Sequence, residues 1–342
     1  MIDLDEAKKI VMKRINSHCP EGVEEFVITS VQEKPYGWVF GWGAANGAHI
    51  AGNVPIVVEK KTGEATSLYA SGVNPAVGIV WFERELAWRE HYDAALQLFK
   101  QKEYEKAIGG LQRCLRHVDE VVEGREERYA GIVSYFRLIG MRSLTEVQLA
   151  AGKLDDALST ALEVRAYLDS FAPPKEVAAI EQRAPILENL MAVYAKLKRP
   201  FDADLMKREL GKAYRIDKQH SKAQEVFEAQ LQKRVETFPK NHPAIAQTLT
   251  DLALLKADLR QFYEMQMFLD AALKIWEPVL QSSELLSKAA EAPVKWSRED
   301  LLEWCAETMD CYASNVLMRE GRREEADKMR LRVKELLIGN PG

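Results

Sequence analysis

The sequence predicts a small α+β domain, a helix on an antiparallel sheet, followed by an all-α array of helical hairpins. Three observations predict it. Up to about residue 85, one amphipathic stretch is followed by short runs rich in Val, Ile, Phe and Trp, separated by Gly and Pro turns. From Ala76 onward the apolar spacing becomes helical and stays so. Residues 91–118, HYDAALQLFKQKEYEKAIGGLQRCLRHV, then read as two antiparallel helices joined by a tight turn near Lys102 and Glu103. Ala94, Ala95, Leu98 and Phe99 line one helix; Ala107, Ile108, Leu111, Cys114 and Leu115 line the other. One such hairpin cannot bury its apolar face alone and needs neighbours of its own kind. The expected domains are 1–85 and 86–338.

In the first domain, Asp3 or Asp5 starts a helix to about Asn16, with Ala7, Ile10, Val11 and Ile15 on one face. Cys19-Pro20-Glu21-Gly22 breaks it. Strands are expected at Phe26–Val31, Trp38–Trp42, Val54–Lys60 and Ala65–Tyr69, with turns at Pro35-Tyr36-Gly37 and Lys61-Thr62-Gly63. Gly52 and Gly63 suit turns that need unusual backbone angles. Trp38, Phe40, Ile56 and Val58 suit the core. Residues 76–90, unusually aromatic with Trp81, Phe82 and Trp88, read as a helix packing this domain against the first hairpin.

Two stretches carry a resemblance. Tyr36-Gly37-Trp38-Val39-Phe40 and Gly52-Asn53-Val54-Pro55-Ile56-Val57-Val58-Glu59-Lys60-Lys61-Thr62-Gly63 resemble the signature of the immunity protein 35 (YrhB-type) family of bacterial polymorphic toxin systems. The resemblance covers about a quarter of the chain. It implies a protein that binds a cognate toxin and blocks it.

The array resembles tetratricopeptide repeats. Y-E-K-A-I in the first hairpin, with small residues at Ala95, Ala107 and Cys114, carries that resemblance. A second hairpin centres on Gly152–Leu158, its helices running from Tyr129 and to Leu168, with Thr145, Ala157 and Val164 at the close contacts. Asp119–Arg128 bridges the two hairpins, and Ala172-Pro173-Pro174 ends the second. A third has a helix from about Pro185 to Lys198 and a turn at Arg199-Pro200. There Asp204 and Gly211 fall where small or apolar residues belong, so this unit is either irregular or shifted by one residue. A long helix over Ser221–Thr237 follows. Asn241–Ala253 with Ala271–Glu277 resembles the longer repeat of kinesin light chains, and His242 reads as structural. The last hairpin turns at Gly321-Arg322-Arg323, with Ser314, Ala326 and Val333 at the contacts.

Composition excludes several functions. Net charge is −5, and the parts before and after the Glu85 cut carry 8 basic against 11 acidic residues and 39 against 41. Neither is basic, which argues against nucleic acid as partner. No apolar run approaches membrane-spanning length, and the first residues do not form a secretory signal. Cys19, Cys114, Cys305 and Cys311 show no framework spacing, which fits reduced thiols in a cytoplasmic protein. No phosphate loop, nucleophile elbow or zinc helix occurs. Cys305 and Cys311 point to different sides of one helix and the histidines are scattered, so no metal and no cofactor is expected.

The expected function is therefore immunity by protein–protein contact, with a cognate toxin or another protein as partner. A tetratricopeptide scaffold or chaperone-like adaptor without a toxin is the alternative, and no enzyme is expected. In the repeat family the first helices line a concave binding face. That resemblance implies partner-binding roles for Arg89, Tyr92, Lys100, Arg142, Glu146, Asn189, Lys196, Thr250, Asp258, Asn315 and Arg319. Trp42 of the small domain is the other candidate contact.

Overall fold

The computed structural model describes residues 1–18, 25–47, 53–68, 75–122, 130–170, 177–281 and 296–338. Gly52 and the expected break at residues 19–22, most of the bridge at 119–128, and the 172–174 end lie outside them. The chain divides into two compact units, one of residues 1–96 with 116–124 and one of residues 97–115 with 125–342.

The first unit is built on a four-stranded antiparallel meander, β1 (Phe26–Lys34), β2 (Gly37–Ala44), β3 (Ile56–Glu59) and β4 (Ala65–Ser67), paired in chain order. Helix α1 (Leu4–Ile15) precedes it, capped by Asp3, whose carboxylate accepts from the Glu6 N–H while Glu6 reaches back to Asp3. Ala7, Val11 and Ile15 lie on one sheet face with Phe26, Trp38, Phe40, Ile56 and Val58. Val39 and Val57 point the other way, where Ile79, Phe82 and Leu86 of helix α2 (Pro75–Lys100) cover them. Both faces of β2 and β3 are thus buried, which explains their continuous apolar runs. Gly37 is dictated by space: a Cβ there would collide with the Val58 carbonyl of β3. Gly63 turns with φ +73°.

The second unit is all helix among its described residues. Helix α3 (Tyr104–Val122) crosses from one unit to the other; α4 (Ala130–Ala150), α5 (Leu154–Asp169), α6 (Val177–Lys196), α7 (Pro200–Ile216), α8 (His220–Thr237), α9 (Pro243–Asp258), α10 (Phe262–Gln281), α11 (Arg298–Tyr312) and α12 (Arg323–Ile338) follow. A small sheet domain followed by a helical repeat array is the expected architecture. One backbone turn recurs six times. A residue with positive φ ends a helix at Lys102, Gly152, Lys198, Lys218, Arg260 and Gly321. The N–H of the next residue reaches the carbonyl five earlier, as in Glu103 to Leu98 and Gln219 to Tyr214, both at 2.8–2.9 Å. This closure satisfies carbonyls that a helix end leaves open. Five residues past each turn residue stands Ala107, Ala157, Ala203, Ala223, Met265 or Ala326. Four of the six turn residues are Lys or Arg, whose charge suits a helix C-terminus although positive φ disfavours them.

The turns correct three details of the expected array. Helix α6 begins at Val177, not near Pro185, and carries Pro185 in its interior. The packing of Ala184, Ile186 and Leu187 into the core holds it helical there. In the third hairpin the turn residue is Lys198, so Ala203 and Leu210 match Ala157 and Val164, one residue earlier than Asp204 and Gly211. In the last hairpin Ala313 takes the close contact, packing with Leu317 and Ala326, while Ser314 is exposed. A π turn at Ala313–Leu317 inserts the extra residue.

The turn at Lys218 gives α7 two roles. It closes a hairpin with α6 and opens another with α8. Gly211 lies seven residues before Lys218, as Ala95, Thr145 and Ala253 lie before Lys102, Gly152 and Arg260. It is the small residue of a first helix, and it faces the Phe227 ring of α8.

Candidate functional site

The first helices place two charged clusters. On α4, Arg142 Nη1 donates to Gln182 Oε1 of α6 at 2.8 Å, and Arg142 Nε lies 3.5 Å from Glu146 Oε1. Asn189 of α6 donates to the Arg142 carbonyl at 3.3 Å and sits 3.5 Å from Glu146. Arg142, Glu146 and Asn189 are all half-buried. Pairing 142 with 182 and 146 with 189 makes α4 and α6 parallel neighbours.

The second cluster joins α7, α9 and α11. Arg208 donates to both Asp251 oxygens, at 2.7 and 3.2 Å, and to Glu307 at 2.7 Å. Lys212 lies 3.6 Å from Glu307, and Arg215 lies 3.7 Å from Asp258. The pairs Arg208–Asp251 and Arg215–Asp258 keep one offset along the chain, so α7 and α9 run parallel. Burial lowers the Arg208 pKa, but Asp251 and Glu307 outweigh it and the guanidinium holds its proton more tightly than usual. Burial also pushes the Asp251 carboxyl up, against the pull of Arg208. Glu307 is pushed up by burial and pulled below its usual range by Arg208 and Lys212. The bidentate geometry, with two N–H donors on the two carboxylate oxygens, favours the ionised form of both groups against that burial.

Of the sequence-predicted site residues, the structure brings together Arg142, Glu146 and Asn189. Asp258 pairs with Arg215. Lys100 and Lys196 are exposed at helix ends. Thr250 is buried; its hydroxyl contacts the Ala246 carbonyl and Thr308 Oγ1 at 2.7 Å, so it offers no surface in this conformation. Asn315 turns back onto the Cys311 carbonyl in the π turn. Arg319 is exposed, its guanidinium 3.2 Å from the Phe262 ring centre. In the first unit, Arg89 lies 3.6 Å from Glu59 and Tyr92 stacks on Trp88 at 4.9 Å. Trp42 donates its indole N–H to the Val54 carbonyl at 2.7 Å and meets Phe26 edge-on.

Sequence reasoning missed Arg208, Lys212, Arg215, Asp251 and Glu307. A signal existed: Arg208 stands ten residues before Lys218, as Arg142 does before Gly152 and Tyr92 before Lys102. Seeing it required reading Lys-Gln-His-Ser-Lys-Ala at 218–223 as a hairpin turn.

His242 is a helix cap. Its Nδ1 accepts from the Ala244 N–H at 3.2 Å at the start of α9, so the neutral ring carries its proton on Nε2. It stacks on Phe238 at 4.2 Å, beside Trp296 at 5.5 Å. Burial, then the Arg234 charge, pushes its pKa down to about 4. The unfolded chain binds this proton first, near pH about 6.5, so the stability His242 contributes is complete above that pH and lost as pH falls toward 4. Asn caps well and does not titrate. Between pH 7 and 4.5, His242→Asn is expected to lose roughly 2 kcal/mol less stability than wild type. Urea midpoints at both pH values test this; parallel losses would exonerate His242. Burial lifts the Cys114 thiol to about 11 and Cys305 and Cys311 to about 12, so none is a ready nucleophile at neutral pH. Among the described residues no three metal-ligating side chains cluster, and no helix is long and apolar enough to cross a membrane.

No family model and no curated protein matches the chain. Among solved structures, one described as a kinesin light chain of nearly identical TPR-like repeats from Podosopora anserina is 18% identical, covering 57% of this chain and 97% of its own at TM-score 0.29. BtubC (BKLC) from P. vanneervenii is 12% identical, covering 68% of this chain and 90% of its own at TM-score 0.34. Likeness at these scores decides nothing about function. The repeat reading rests on the six turns and their packing.

Proposed function

We propose that the helical array is a protein-interaction scaffold whose partner docks on the first-helix face. One observation carries this reading. Charged groups on neighbouring parallel helices are held in place by mutual bonds, yet Arg142, Glu146, Lys212 and Arg215 keep partial exposure. Groups fixed beforehand lose little freedom on binding. The sequence-predicted anchors on this face are Arg142 and Arg319 of the second unit, with Tyr92 of the first unit as a separate candidate contact; Tyr and Arg are residue types that favour interface hot spots.

Toxin immunity is the second reading. Its support is the Tyr36–Phe40 and Gly52–Gly63 resemblance, whose described residues lie on β2, β3 and the following turn; the comparisons add nothing to it. The scaffold reading needs no toxin. Partner identity separates the two: inhibition of a toxin encoded beside this chain supports immunity.

The test titrates the purified partner against wild type and a Tyr92→Ala, Arg142→Ala, Arg319→Ala variant, with circular dichroism as the folding control. Affinity is expected to fall roughly tenfold or more. A change within about twofold would move the site elsewhere, first to Trp42 and Ala44-Ala45-Asn46-Gly47.

A further inference from the structure

The turn joining α9 to α10 exposes apolar side chains that the core does not use. Helix α10 buries Met265, Leu269, Ala272 and Ile275 as its inward stripe. Tyr263 and Met267 each stand two residues from a member of that stripe, about 200° around the axis. They are 77% and 55% exposed, and one helical turn apart, so their side chains adjoin. Leu259 and Phe262 are exposed beside them, which puts four large apolar side chains within residues 259–267. Elsewhere in the second unit Leu162, Ile216, Val235 and Leu331 stand singly. Single exposed apolar residues are ordinary; a contiguous group marks a contact surface.

The last hairpin extends the patch. Met318 is exposed just after the π turn, the Arg319 guanidinium lies 3.2 Å from the Phe262 ring centre, and Gln266 donates to Glu320 at 3.4 Å. These contacts hold the end of one first helix against the start of α10. Charge around the patch is unbalanced. Arg260 and Arg319 form no ion pair among the described residues, and Lys256 Nζ donates to Gln261 Oε1 at 2.9 Å. Of the neighbouring carboxylates, Glu320 pairs with Arg322 at 2.9 Å and Asp258 with Arg215 at 3.7 Å, leaving Glu264 against three cations.

We infer that this surface docks a short acidic and apolar segment of a partner protein, its apolar side chains lying on Phe262, Tyr263 and Met267 and its carboxylates meeting Arg260 and Arg319. The segment carries both kinds of side chain because the patch offers apolar area and uncompensated cations side by side. Methionine adapts to varied shapes, and arginine holds a carboxylate through two N–H groups. A bilayer fits less well: three cations beside a carboxylate, on a chain of net charge −5, attract an anionic surface weakly. Helix α10 is a second helix, so this inference goes beyond the first-helix face and shares only Arg319 with it.

The probe is fluorescein-labelled Asp-Glu-Leu-Phe-Asp-Leu-Glu-amide, titrated with the full chain by fluorescence polarisation beside the same peptide carrying Asn and Gln for Asp and Glu. Saturable binding below about 1 mM is expected, weakened roughly fivefold or more by loss of the peptide's charge, by Tyr263→Ser with Met267→Ser, and by Arg260→Gln with Arg319→Gln. The Tyr263→Ser, Met267→Ser variant leaves the first-helix face intact, so its result stands apart from that of the first-helix variant. Its Tm is expected to stay within about 2 °C of wild type, because both side chains are exposed. No saturable binding, equal binding of the uncharged peptide, or unchanged affinity in either double variant would overturn the inference. Two further results would also overturn it. Sedimentation with phosphatidylserine vesicles that the double variants abolish, without peptide binding, would assign the patch to a membrane. Dimerisation of the wild type that Tyr263→Ser with Met267→Ser abolishes would assign it to a second copy of this chain.

Discussion

Arg234→Met is expected to destabilise the array by about 3–5 kcal/mol, the usual cost of breaking a buried ion pair from one side. Arg234 is 1% exposed on α8 and makes five hydrogen bonds. Two reach Asp204 Oδ2 of α7, at 3.0 and 2.6 Å, and three reach α9, at the Ala244 carbonyl, Gln247 Oε1 and Thr248 Oγ1, at 2.7–2.9 Å. Burial pulls this guanidinium down and Asp204 opposes it. Removing the guanidinium takes from Asp204 its buried ion-pair partner and leaves Gln247 Oε1 and Thr248 Oγ1 without the donor they accept from. Adding Asp204→Leu should recover part of the loss, because the stranded carboxylate goes with it. The midpoint of urea unfolding measures both variants. A cost below about 1 kcal/mol for Arg234→Met would mean that apolar packing alone joins α7, α8 and α9.

Gly211→Ala is expected to cost about 1–3 kcal/mol, although alanine is the better helix former. The new methyl would strike Phe227 Cε1, with Cζ at 2.7 Å and Cδ1 at 2.8 Å. That ring is fully buried within the α6–α9 core and cannot swing away. Gly109→Ala on α3, where a new methyl meets nothing within 4 Å, supplies the contrast, with the same substitution and opposite sign. Thermal unfolding of the pair reads the difference. Two stabilised variants would show that α8 gives way at Phe227.

The sheet was legible because β2 and β3 announce themselves through β-branched and aromatic runs between Gly and Pro turns. Hairpins turning at Gly152 and Gly321 were legible for the same reason: glycine marks the left-handed position. At Lys198, Lys218 and Arg260 a basic residue takes that position, and no local signal separates it from a helix surface. That is why the third hairpin slipped by one residue and the α7–α8 turn went unread. The π turn hid the shift from Ser314 to Ala313 in the same way, since one inserted residue leaves composition unchanged. Of the candidate site, the Arg142–Glu146–Asn189 group followed from hairpin register. The Arg208–Asp251–Glu307 group did not, because its anchor stands on a helix read in only one of its two roles. Thr250 shows the limit of register alone: a polar residue at a surface position can be claimed by a neighbouring helix, here through Thr308.

The double role of α7 gives the array a reversal of sense. Helices α4 and α6 run one way; α7, antiparallel to α6 across the Lys198 turn, shares its direction with α9. The side chains of the first helices are therefore presented in one chain direction on the first stretch and in the opposite direction on the second. No single uniform segment can satisfy both by repeating the same contacts. A contact repeated along the first helices would have to reverse its own chain direction at α7, or be made by two separate segments.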